Sequence, residues 1–213
     1  MSGPELADDE RTLALGHAPA ALRRGVSAIW QLDETLGRIV ASTTEPMIGQ
    51  MRLTWWHERL CGLDAEELPA EPLLQDLAHY ALHHDVTGTD LASLIEGWEA
   101  LLDPLPLGQE ELALFAEKRG GTLFRLSARL LGSHADEYAG QGWALVDFAR
   151  HCSDAETAGR AMTMARDRLN QPGEKLAKPL RILTRLAQAR ARRSDSEIGN
   201  PLPRFVFLRA MLG

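Results

Sequence analysis

Aromatic and β-branched residues are scarce in this chain: two tyrosines and five phenylalanines stand among 213 residues. Leucine, alanine, arginine and glutamate take their place, a mixture that favours helix over strand. Cysteine is as rare. Cys61 and Cys152 lie far apart and complete no CxxC or Cys/His cluster, which excludes a disulfide scaffold and a structural zinc and leaves two reduced thiols. No apolar run approaches the roughly 18 residues that cross a bilayer, and the acidic start from Met1 to Thr12 is not the basic-then-apolar pattern of a signal peptide. These absences predict a cytoplasmic protein. Positive charge is in deficit as well: a net charge of -7 and a pI near 5.5 argue against general nucleic-acid binding. There is no P-loop, no GxGxxG and no GxSxG.

With 45% hydrophobic and 25% charged residues, the chain has what one domain with a sizeable core requires, and residues 1–213 are expected to form it. Apolar positions recur with helical period almost throughout, and strand alternation is hard to find. Helices are predicted over Ala20–Ala41, Pro46–Cys61, Pro72–His83, Asp90–Leu102, Glu110–Leu131, Asp136–Cys152, Ala155–Asn170, Lys175–Arg192 and Leu202–Leu212. Pro69, Pro72, Pro104 and Pro106 punctuate them, as does the turn Thr87-Gly88-Thr89-Asp90 with its N-cap. A polar loop, Ser194–Pro203, precedes the last.

Within the first long helix lies Leu32-Asp33-Glu34-Thr35-Leu36-Gly37. Aspartates four apart share a helix face and together hold Mg2+ against a diphosphate. Here Gly37 stands where the second carboxylate belongs. Three further segments go with it: Glu45-Pro46-Met47-Ile48-Gly49-Gln50-Met51-Arg52-Leu53-Thr54-Trp55-Trp56-His57-Glu58-Arg59-Leu60; Phe115-Ala116-Glu117-Lys118-Arg119-Gly120-Gly121-Thr122; and Gly142-Trp143-Ala144-Leu145-Val146-Asp147-Phe148-Ala149-Arg150-His151-Cys152-Ser153-Asp154-Ala155-Glu156. This set resembles the squalene/phytoene synthase family, with its "EP..G..R..WW...L" run, its aromatic–x3–small–Gly–Thr/Ser segment and its "G.AL...N.LRD..ED" helix.

The resemblance implies an all-α, isoprenoid synthase-like helical bundle around a central apolar cavity. It further implies substrate binding by Arg52, Gly120, Gly121, Thr122 and Arg150, and metal binding by Asp33 and Asp154. His151 replaces the first aspartate of the second metal motif, and Asp147, Asp154 and Glu156 are out of its register. Losing a whole metal constellation should cost far more than the roughly 3–4 kcal/mol of one electrostatic donor. The chain is therefore similar to the degenerate branch containing the mitochondrial complex I assembly factor. That branch implies no Mg2+ cofactor and binding of a prenyl diphosphate, a lipid or a protein partner in respiratory complex assembly, with peripheral contact at the inner membrane face. The rival is an active Mg-dependent prenyltransferase using Asp33 and Glu34 with Asp147, Asp154 and Glu156. A third reading is a helical interaction module with a collapsed interior.

Several residues are weighed independently of the family. Trp55 and Trp56 are expected to be buried and Arg52 to be held by an acid. Gly120 and Gly121, mid-helix, imply a close approach by a neighbouring helix or a ligand. Asp147 and His151 suggest an exposed i,i+4 pair, and Glu96 with Glu99 a solvated face. His57 reads as a packed or surface residue, and His79 with His83 and His84 as a weak metal candidate. Arg181, Arg185, Arg190, Arg192 and Arg193 read as a solvated helix face, or else as a contact with anionic lipid or a partner.

Overall fold

The computed structural model describes residues 8–64, 70–82, 85–193 and the helical residues Val206, Ala210 and Met211. Its helices are α1 (Asp9–Leu15), α2 (Arg23–Ala41), α3 (Pro46–Cys61), α4 (Pro72–Tyr80), α5 (Gly88–Ala92), α6 (Leu94–Glu99), α7 (Gln109–Phe115), a π-helical turn (Ala116–Gly121), α8 (Thr122–Leu131), α9 (Glu137–His151), α10 (Ala155–Leu169) and α11 (Lys178–Ala191). No strand occurs among the described residues. The expected loop at Ser194–Pro203 and most of the helix expected at Leu202–Leu212 lie outside them, as do His83 and His84.

Helix ends follow local chemistry. Asp136 caps α9 by accepting the Ala139 amide at 2.9 Å, and Asp154 caps α10 by accepting that of Thr157 at 2.8 Å. Proline is tolerated only in a first turn, so Pro179 makes Lys178, rather than Lys175, the start of α11. The helix expected at Asp90–Leu102 breaks at Ser93, whose hydroxyl donates to the Asp90 carbonyl at 2.6 Å and bends the chain. α1 was not expected at all. It is short, and it buries Glu10 and Arg11 rather than an apolar stripe.

Two groups of helices form the bundle. α2 packs with α3, α4 and α6 on one side, while α9 packs with α10 and α11 on the other. The continuous run from α7 through the π turn to α8 passes between them, touching α2, α6 and α9. Val26, Ile29, Trp30, Leu32 and Leu36 of α2 supply the buried face, and Trp30 Nε1 donates to Ser127 Oγ of α8 at 2.9 Å. Where the π turn crosses α9, a Cβ on Gly120 would collide with the Gly140 carbonyl, and one on Gly140 with the Gly120 carbonyl. The two backbones touch there.

The two adjacent tryptophans divide. Trp56 is buried as expected, whereas Trp55 is 44% exposed, because its position turns away from the core face set by Gly49, Leu53, Trp56 and Leu60. Arg52 is likewise exposed, and among the described residues no acid holds it; its contacts there are the Ser42 and Thr43 hydroxyls, each at 3.4 Å.

Candidate functional site

Asp33 sits on the buried face of α2, fully enclosed. A carboxylate there needs partners, and it has several. Arg119 of the π turn donates to it through Nε at 2.9 Å and an amino nitrogen at 3.0 Å. Arg11 of α1 donates at 2.6 Å, and Trp98 Nε1 of α6 at 2.9 Å. Both oxygens are thus saturated by donors from three elements. Burial alone would raise the Asp33 pKa, but the Arg119 and Arg11 charges outweigh it and hold the carboxyl below its ordinary range.

Arg119 also reaches across to α9, where its amino nitrogen lies 2.6 Å from Asp147 Oδ2. Burial opposes ionisation of Asp147 too, yet Arg119, with Arg11 and His151 behind it, holds this carboxyl down at about 2. The two carboxylates in turn raise the Arg119 pKa against the opposing effect of burial. Its guanidinium is boxed by rings, with centroids at 4.3 Å for Trp98, 5.0 Å for Trp143 and 5.2 Å for Phe115. A cation therefore does stand between the two motif helices. It is an arginine.

The space beside Asp33 is filled in the same way. A Cβ on Gly37 would lie 2.7 Å from Trp98 Cη2, so the indole ring occupies the ground a second aspartate would need. No group of three or more acids, histidines or cysteines able to hold a metal ion is found among the described residues. With every oxygen of Asp33 already bonded and Gly37 covered, these residues do not fit an Mg2+ site.

Next to this centre opens a cavity of about 750 Å³, lined by the apolar Val40, Leu101, Phe115 and Phe148 and by charged residues including Glu10, Arg38 and Arg150. Among the residues expected at the site, Asp33 and Arg150 line it. Arg150 lies 3.7 Å from Glu10 Oε2. Glu10 is held by Arg190, so Arg190, expected on a solvated face, is instead buried under α1.

The other sequence candidates go elsewhere. Gly120, Gly121 and Thr122 are buried against α9 and do not line the cavity; Gly120 serves the backbone crossing, and Thr122 accepts from Arg125 at 3.1 Å. Asp154 is a helix cap with its carboxylate fixed on Thr157, and Arg52 belongs to a separate groove between α2, α3 and α4. Asp147 is not half of an exposed pair with His151, since its stronger partner is Arg119. Glu96 pairs with Lys118 at 2.8 Å, and Glu99 accepts from Gln50 at 2.6 Å. His57 is exposed, and His79 packs edge-on to Tyr80. Arg11, Trp98 and Arg119 carry the centre, and none was singled out from sequence; the signal was an arginine immediately before the glycine of a helix crossing.

An all-α bundle in which two facing helices each present a carboxylate to the centre resembles the isoprenoid synthase fold. The chain belongs to the squalene/phytoene synthase family, whose model matches residues 6–196. Its curated relatives include the protein called NADH dehydrogenase (ubiquinone) complex I, assembly factor 6, in Mus musculus, 27% identical over 139 residues, and its Homo sapiens counterpart, 25% identical. Each match covers 62% of this chain and 42% of the relative, so the likeness spans less than half of those proteins. Among solved structures, a dehydrosqualene synthase in complex with ligand superposes with a TM-score of 0.62 at 10% identity, over 96% of this chain and 90% of that one. That match speaks for the fold.

Proposed function

We propose that this chain is a squalene/phytoene synthase-like protein that binds without condensing prenyl diphosphates. The observation that carries the reading is Arg119, whose guanidinium neutralises Asp33 and Asp147 together. Ionising an allylic diphosphate needs a concentrated positive charge on the leaving group. Here Asp33, the one carboxylate left of the first motif, and Asp147 facing it are spent on a fixed arginine and its aromatic box. The cavity beside them has apolar lining for a prenyl or lipid chain and Arg150 within reach of an anionic head.

By analogy with relatives named as complex I assembly factors, a protein partner in respiratory complex assembly is the companion proposal. No helix among the described residues is long and apolar enough to cross a membrane. We place the protein in the cytoplasm, at most peripheral to the inner membrane face.

Incubation of the purified chain with farnesyl or geranylgeranyl diphosphate and Mg2+ should release no diphosphate above the protein-free background. Turnover that disappears in Asp33→Asn, with the helical signal retained, overturns the proposal.

A further inference from the structure

The outer side of α3 carries a stripe that none of the described residues covers. Met47, Ile48, Met51 and Trp55 are 77%, 48%, 68% and 44% exposed. Their spacing puts them on one side of the helix, opposite the core residues Leu53, Trp56 and Leu60. Methionine and tryptophan together on a convex helix face are costly to leave in water.

Charge lies beside the stripe. Arg52, on the same helix, donates to the Ser42 and Thr43 hydroxyls; Arg38, on the last turn of α2, donates to Thr35 Oγ1 at 2.9 Å and to the Glu34 carbonyl. Among the described residues neither guanidinium has a carboxylate partner. Both border a groove of about 920 Å³ alongside α3. The two acids of that groove are turned inward, Glu71 to the Leu74 amide at 3.0 Å and Glu34 toward Arg11 at 4.0 Å. A chain of net charge -7 thus presents a locally positive edge next to an apolar ridge.

We infer that the outer face of α3 docks on an anionic lipid surface. Met47, Ile48, Met51 and Trp55 enter the headgroup boundary, and Arg38 and Arg52 meet the lipid phosphates. A convex ridge flanked by guanidiniums suits a deformable bilayer better than a second helix, which would need a groove to receive it. Exposed Glu45 and Glu58 bound the stripe at either end of α3. This contact rests on the peripheral membrane association proposed above and gives it a surface; it does not involve Arg119, and Arg38 is shared with the rim of the cavity.

Flotation of the full chain with vesicles tests it. With equal parts phosphatidylcholine and phosphatidylglycerol at low salt the protein should rise with the vesicles, and raised salt or pure phosphatidylcholine should release it. Met51→Asp should weaken binding about tenfold or more, and Arg52→Ala about fivefold, the worth of one arginine at such a surface. Both positions are exposed, so melting temperature and far-UV signal should hold. Failure to float at low salt overturns the inference, as do wild-type binding by both variants and equal binding to pure phosphatidylcholine. Sedimentation showing a dimer that Met51→Asp dissociates would assign the face to a second copy. Preference for an acidic amphipathic peptide, with vesicles ignored, would assign it to a protein. Either result rejects the lipid surface.

Discussion

Arg119 is held by two carboxylates and three aromatic rings, and each of those contacts depends on its charge. Arg119→Met should therefore cost about 3–5 kcal/mol in urea unfolding, because Asp33 is left ionised and enclosed without its main partner. Pairing the change with Asp33→Leu should recover much of the loss, since removing both members of a buried pair is far cheaper than removing one. Gly37→Asp makes the complementary point. It rewrites the i,i+4 aspartate pair in sequence, yet its Cβ would lie 2.7 Å from the Trp98 ring. The variant should melt below wild type and show no Mg2+ binding heat by calorimetry, because the indole has to leave before the carboxylate can enter.

At the scale of elements, the neighbouring glycines of the π turn make a matched pair. Gly120 meets the backbone of α9 directly, whereas a Cβ on Gly121 would find its nearest neighbour 3.8 Å away, at ordinary van der Waals distance. Gly120→Ala should lower the thermal midpoint by several degrees or prevent folding, and Gly121→Ala should leave it near wild type, as differential scanning calorimetry would show. The helices themselves were legible beforehand: proline positions, aspartate caps and apolar period place α2, α3, α9 and α10 to within a few residues. The π turn was not legible. One extra residue in a turn rotates everything after it by roughly 100°, and no local pattern marks it. Without that rotation, sequence cannot tell which of Lys118, Arg119 or Gly120 looks inward.

Across the whole molecule, the missing metal ligands were readable and their replacement was not. Motif comparison registers the aspartate absent at position 37. It is blind to a cation arriving from 86 positions beyond Asp33, or to one borne by α1. The replacement has a signature in acid. Asp33 and Asp147 bind protons more weakly folded than unfolded, so their contribution is complete above about pH 4. It drains away as pH falls toward about 2, where Asp147 titrates in the folded chain. Urea midpoints should accordingly drop across that window. Asp147→Asn, less stable at neutral pH, should show a shallower acid limb.

A divalent ion is borrowed from solution, and its occupancy rises and falls with supply, competitors and chelators. A guanidinium anchored to the backbone has no off-rate and no rival. The centre of this fold is loaded by its own side chain, and EDTA, which strips exchangeable ions, is expected to leave its melting curve unchanged.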